Sequence, residues 1–420
     1  MVSIEIIFFI VVKVFIVLLI ILIINVQRYK KILINKKMAE KKEFEPLLTE
    51  EETLEIRDNF VGFYENLDTI QDYFLARKKE KIVDIKHEKY TVNMFNDPTV
   101  EPKDMNFRLR VIEGKMFTPS TQIITSLPLE PQIGRQITLG IEETTTNTYV
   151  GFIRMASPVL AIKPRNDYFG EKVVATQVNR SMINGAIIVP VQPFGYNCLG
   201  GKLLALIACS HEVRTMLKEK YGEKIETCFM ETTSLYGDLK GVSQYDGLKP
   251  FMRYQAMTES DVFLFPTQEV YGPIRGRMRE LYGKEEWNGN TVDPKPSGPK
   301  MREFNKAISI LKNHLRYYNE EAYKEFHLFT KESMKAKTKK RYYYSNFGFD
   351  NVKEHVNSQG TIPLKEGQNF HKHNLEYMYE WWKKKAQKRW EKLSSEDRIR
   401  TELEIYTEYS IDNKVVDMVR

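Results

Sequence analysis

The sequence predicts an α/β protein on a mixed sheet, set behind an N-terminal transmembrane helix and followed by an α-helical C-terminal extension. Three observations predict this. Residues 6–24 are almost wholly apolar. Residues 106–234 pass from strand-like alternation into a strand, a glycine-containing loop, a helix and a second strand. Beyond Pro299 the apolar spacing becomes helical. The expected organisation is a transmembrane segment at 1–26, a basic juxtamembrane linker at 27–43, an α/β domain at 44–282, a linker at 283–300 and an α-helical region at 301–420.

From Ile6 to Ile24 nineteen residues are interrupted by a single charge, Lys13, which matches the length needed to cross a hydrocarbon core about 30 Å thick. Lys13 costs about 2.5–3.5 kcal/mol on insertion scales, while each Ile, Leu, Phe or Val returns about 0.3–0.6 kcal/mol, so insertion is favoured. The basic run Arg28, Lys30, Lys31, Lys36, Lys37, Lys41 and Lys42 follows, and the positive-inside bias then predicts a single-pass protein whose C-terminal domain is cytosolic. Much of the net charge of +7 belongs to that run, which weakens overall basicity as a sign of nucleic-acid binding. Cys198, Cys209 and Cys228 make no disulfide framework and have no zinc spacing, and the seven histidines are scattered. No metal is expected, and a reducing compartment fits.

Glu52 to Lys81 carries apolar residues at helical spacings, and reads as one or two amphipathic helices. Asn106–Glu113, Gln136–Glu142 and Tyr149–Met155 alternate like strands, the last two across the turn-prone Thr144–Asn147. Ala186–Val191 is a buried-strand run, Lys202–Tyr221 a helix stopped by Gly222, and Ile225–Met230 a returning strand. This is a βαβ crossover. Val262–Phe265 supplies one further strand, and the prolines at 294, 296 and 299 mark the linker. Helices follow from Met301 to about Met334 and from about Asn374, the second with Leu375, Met378, Trp382, Ala386, Trp390 and Leu393 on one face. Between them, Lys335–Gly348 interleaves basic and aromatic residues, either a solvated basic loop or a surface for nucleic-acid backbone and bases.

Chemistry is best placed on the loop after the first crossover strand. Neither a Gly-x-Ser-x-Gly elbow nor a phosphate loop ending in Gly-Lys-Ser/Thr occurs, since Leu203 follows Gly201-Lys202. The loop Gln192–Lys202 instead ends at a helix start, whose free amides and positive dipole end suit a phosphate. Gly195, Gly200 and Gly201 would let the backbone approach an anion and Lys202 would add charge, or the glycines serve only close helix-on-sheet packing.

Two resemblances follow. The succession of strand, Gln-x-x-Gly, glycine-containing turn and Lys-Leu-Leu on a helix looks like the acyl-coenzyme A loop of GCN5-related N-acetyltransferases, although Tyr196-Asn197-Cys198-Leu199 stands where that family has a short Gly-x-Gly/Ala finish. It implies an acetyltransferase-like fold and an acyl-CoA cofactor on Gln192, Gly195, Tyr196, Asn197, Gly200, Gly201 and Lys202. Over roughly Gly151–Asp261, a set of motifs resembles the Druantia anti-phage protein A family of bacteria, phages and large DNA viruses. They are Ser157-Pro158, Lys163-Pro164-Arg165-Asn166-Asp167, the Asn179-to-Pro190 approach, Gly200-Gly201-Lys202-Leu203-Leu204, Lys220-Tyr221-Gly222 and Glu231-Thr232-Thr233. That likeness implies a nucleic-acid or virus-conflict setting and supplies no reaction. Acyl transfer would need a base and an acid, for which Glu231 and Tyr236 or Tyr245 are the residues available. Two readings therefore stand: an acyltransferase, or a membrane-tethered module that binds nucleic acid or protein without catalysis.

Overall fold

Alternation between Asn106 and Met155 becomes three antiparallel strands, β1 (Phe107–Val111), β2 (Gln136–Glu143) and β3 (Thr148–Ala156). The β2–β3 turn uses Asn147 at φ 55°, a left-handed conformation that asparagine tolerates. The computed structural model describes residues 44–130, 132, 134–234, 243–282 and 299–415. The described residues divide into two units, one made of those up to Phe60 with those of Pro273–Phe329, the other of those of Val61–Gly272 with those from Thr330 on.

The larger unit holds a seven-stranded mixed sheet in the order β1-β2-β3-β4-β5-β7-β6, completed by β4 (Met182–Pro190), β5 (Phe229–Ser234), β6 (Arg253–Phe263) and β7 (Lys335–Ser345). Only β4 and β5 run parallel, as a crossover connection requires. They pair over three positions, Met182↔Phe229 to Asn184↔Glu231, and then part. β5 continues on its other edge against β7, while side chains bridge the gap toward β4: the Thr232 hydroxyl donates to the Gly185 carbonyl and the Gln244 amide to the Ile188 carbonyl.

The crossover contains two helices, α1 (Gly200–Ala208) and α2 (His211–Tyr221), where the sequence pattern reads as one. The break falls at Ser210, whose extended backbone and hydroxyl, accepting from the Val213 amide, start a new helix. Apart from Lys202 in its first turn, α1 is apolar because it is covered, lying between β3–β4 and α3 (Leu375–Ser395). Leu203, Leu204, Leu206 and Ile207 are fully buried, each contributing about 1.5–3 kcal/mol of transfer free energy. α3 starts at Asn374, whose side chain accepts from the Tyr377 amide, and it buries Met378, Trp382, Ala386 and Leu393. The opposite sheet face is covered by the helices Ile70–Ile82 and Gly114–Ile124, where Phe117, Phe152, Ile187 and Tyr406 share a second apolar cluster.

In the smaller unit, His314 organises the helix Pro299–Tyr318. Its Nε2 accepts from the Leu47 and Leu48 amides while its Nδ1 faces the Ile310 carbonyl, which fixes a neutral ring that burial also favours. Phe60 packs against Phe304 and Phe326.

Two expectations are corrected. The helix expected at 6–24 and the basic run at 27–43 lie outside the described residues. Among the described residues no helix is long and apolar enough to cross a membrane. The long helices there, Pro299–Tyr318 and α3, are amphipathic and heavily charged, whereas a span needs about 20 predominantly apolar residues. On that finding the transmembrane element, the single-pass membrane description and the cytosolic localisation built on it are withdrawn. Second, Lys335–Ser345 is not a loop between helices of an all-α extension but an interior strand of the sheet, paired with β5 on one edge and β6 on the other, with Tyr342, Tyr343 and Tyr344 all buried at its C-terminal end. The 283–298 portion of the expected linker lies outside the described residues, and Pro299 opens a helix.

Candidate functional site

The loop after β4 is packed from within. Phe194–Asn197 forms a helical turn in which the Gln192 side chain accepts from the Tyr196 amide, and Phe194 is buried against Phe95, Phe107 and Trp382. Leu199 takes a left-handed φ of 54° to enter α1, and its carbonyl accepts from Trp382 Nε1 at 3.3 Å. A Cβ on Gly200 would lie 2.5 Å from the Phe194 ring, one on Gly195 would meet Gln192 and Pro190, and one on Gly201 would meet Gln244. The three glycines thus admit neighbouring protein groups. Lys202 donates to the Asp246 carbonyl and, at 3.5 Å, to that of Gln244; burial pushes its ammonium below the ordinary value against the pull of Asp246.

The outer side of the loop is strapped by the C-terminal segment. Asn197 donates to the Arg400 carbonyl and accepts from the Arg400 amide, and the Glu404 amide donates to the Gln192 carbonyl. Tyr196 is held by three arginines: the Arg400 and Arg389 guanidinium groups lie 3.8 and 4.7 Å from its ring centroid, and Arg398 donates to its hydroxyl. The cavity beside Pro193, Phe194 and Asn197 measures about 10 Å³. Small-molecule and cofactor sites occupy about 300–1,000 Å³.

Glu231, at the end of the β4–β5 pairing, is sequestered. One carboxylate oxygen accepts from Arg165 Nη1 at 2.9 Å and the other from the Tyr342 hydroxyl at 2.6 Å, and side-chain exposure is 0% for Arg165 and 1% for Glu231. Burial raises the Glu231 carboxyl above its ordinary range, over the opposing pull of Arg165 and Tyr342. Arg165 also donates to the Val159 and Leu160 carbonyls, so the segments around Ser157-Pro158, Lys163–Asp167 and Glu231–Thr233 converge on one buried ion pair. The arrangement ties three elements together and presents no open carboxylate to a substrate. Tyr236 lies outside the described residues, and Tyr245 is buried with its ring against Tyr343.

In β7, the register sets Lys337 opposite Asp261 and Lys339 opposite Glu259, on one sheet face. Arg341 and Tyr343 both bond the Asp246 carboxylate. Much of the positive charge in this segment therefore has acidic neighbours, which could not be known before the pairing was.

A different cationic surface lies on α3. Tyr377, Trp381, Lys384, Lys385, Lys388 and Lys392 recur at three- and four-residue spacing and form one stripe away from the buried face. Glu376, Glu380, Lys383, Gln387 and Glu391 repeat the same spacing one residue earlier, so the helix's three acids occupy the neighbouring stripe. That acidic side borders a cleft of about 260 Å³ lined by Met105, Asn106, Glu376, Tyr379, Glu380 and Lys383. Among the described residues, Lys384, Lys385 and Lys388 form no ion pair, while Lys392 lies 3.8 Å from Glu396. The run Lys-Lys-Lys-Ala-Gln-Lys-Arg at 383–389 is visible in the sequence, interleaved with the apolar positions of the buried face. Arg165 as the partner of Glu231 carried no sequence signal.

Residues 63–260 fit the family model of Druantia protein DruA. No curated protein and no solved structure matches the chain, so the acetyltransferase likeness gains no support by comparison. The matched segment runs from the last three residues of the Glu50–Glu65 helix through β1–β5 into β6, and includes the Arg165–Glu231 tie and the loop before α1. Over residues 63–260, this chain resembles the Druantia protein DruA family.

Proposed function

We propose that the larger unit binds the phosphate backbone of a nucleic acid through the basic stripe of α3. The observation that carries this reading is the segregation of charge on the helix: Lys384, Lys385, Lys388 and Lys392 lie together on a side turned from the core, three of them without an acidic partner among the described residues. Lysines four apart on a helix are about 6 Å apart along its axis, so Lys384, Lys388 and Lys392 extend over about 12 Å. A linear polyanion meets such a row at several points and releases counterions from each. The resemblance to the Druantia family fits a setting in which nucleic acid is encountered. Catalysis is not part of the proposal, since Glu231 is occupied by Arg165 and Tyr342.

The test is fluorescence anisotropy with a labelled oligonucleotide across a salt series from about 50 to 200 mM. Four phosphate contacts predict a slope of log K against log salt of roughly −3 to −4, and Lys384→Glu with Lys388→Glu should weaken binding and flatten the slope by about 2. Binding that ignores salt and charge reversal, or no binding at the lowest salt, overturns the reading. Both lysines are exposed, so circular dichroism should show an unchanged fold.

A further inference from the structure

Resting on that reading, we infer that the nucleic acid taken by α3 is single-stranded, with its phosphates along the lysines and a base on the aromatic end of the same stripe. Two observations carry this. The first is the asymmetry of the helix. A duplex seated over α3 would bring a phosphate strand to each flank of the exposed surface, and one flank carries Glu376, Glu380 and Glu391. The one lysine on that flank, Lys383, lies 4.0 Å from Glu380, whereas the other flank carries four lysines and no acid. A single strand needs one cationic track and avoids the acids.

The second observation is what precedes the lysines. Tyr377 and Trp381 stand two turns and one turn, respectively, before Lys384 and Lys385 on the same stripe, at the spacing that aligns side chains on one helix face. Tyr377 is 40% exposed although its ring is apolar, and Trp381 is half-buried, seated edge-on against Phe251 at 5.6 Å. Lys385 lies 4.7 Å from the Trp381 ring centroid, so cation and ring already share one surface. The exposed His371 ring lies edge-on to Tyr377. Aromatic rings beside a basic track bind unpaired bases by stacking, a contact that duplex bases, stacked on one another, do not offer. From Tyr377 to Lys392 the stripe is about 22 Å long, enough for a few nucleotides.

The experiment compares one labelled deoxyoligonucleotide, alone and annealed to its complement, against the full chain by anisotropy. The single strand is expected to bind at least tenfold more tightly than the duplex. Tyr377→Ala, at an exposed position, should weaken single-strand binding about fivefold or more and leave duplex binding unchanged, while Tyr377→Phe restores it because stacking needs the ring and not the hydroxyl. The single strand should also quench tryptophan fluorescence in the parent protein. Salt-sensitive, lysine-dependent binding that is equal for both forms, or that ignores Tyr377→Ala, overturns this inference and leaves the backbone-binding reading standing. If neither form binds, or binding ignores Lys384→Glu with Lys388→Glu, both fall.

Discussion

Replacing Glu231 with alanine should be among the more destabilising single changes in the larger unit. The substitution leaves the Arg165 guanidinium buried without its carboxylate and the Tyr342 hydroxyl without its acceptor at 2.6 Å. Breaking a buried pair by removing one partner costs about 3–5 kcal/mol, because the remaining charge stays desolvated. With a urea m-value of about 1–3 kcal/mol/M, the unfolding midpoint should fall by more than about 1 M. The pair itself is a different matter. Burial outweighs the attraction of Arg165 for Glu231, and a carboxyl raised in this way stabilises the fold most below its ordinary value of 4.5, an effect that fades as pH rises through the raised one. Replacing both charges, Arg165→Met with Glu231→Leu, should therefore recover most of the loss, as apolar substitutes for buried pairs commonly do. The assay is urea unfolding of parent, both single variants and the double variant, followed by fluorescence and near-ultraviolet circular dichroism. A Glu231→Ala protein within about 0.5 kcal/mol of the parent, the range of surface substitutions, would refute the reasoning. So would a double variant weaker than either single one.

Two pH dependences follow from other buried groups. Burial raises the Glu143 carboxyl, but bonds from the Thr145 and Thr146 amides and the Thr146 hydroxyl bring it below 4.5, so its contribution is present above that value and disappears as pH falls through the depressed one. Glu143→Gln should cost about 1.5–3 kcal/mol near neutral pH, and the gap to the parent should close on acidification in unfolding curves. Burial pushes His373 down to about 4, with Nδ1 held 2.9 Å from the Cys209 carbonyl. Between pH 6.5 and about 4 the unfolded chain takes up a proton that the folded one refuses, so stability should fall by roughly 3 kcal/mol there. His373→Asn, which keeps a donor for Cys209 but does not titrate, should flatten the stability profile across that window.

Local chemistry determined much of the fold. The alternation from Gln136 to Ala156 could satisfy its apolar face only as strands, and the apolar spacing of Met378, Trp382, Ala386 and Leu393 could do so only as a helix laid on a core. The same holds for the crossover between β4 and β5. What the sequence left open were matters of pairing. Lys335–Tyr344 reads as a basic loop until a partner strand opposes Lys337 and Lys339 with Asp261 and Glu259, more than seventy residues away. Gly195, Gly200 and Gly201 serve an anion or a neighbour equally well in one dimension. Only the tertiary structure shows which neighbours they admit, the Phe194 ring at Gly200 and the Gln244 side chain at Gly201. Glu231 as a base and Glu231 as half of a buried pair differ by the position of Arg165, set by the turn from β3. Helical and strand periodicity are written in neighbouring residues, and so the sequence alone determined most of the elements, with β7 and the break between α1 and α2 the exceptions. Burial, charge neutralisation and the filling of a loop depend on residues brought together from distant parts of the chain, and only the tertiary structure decided them.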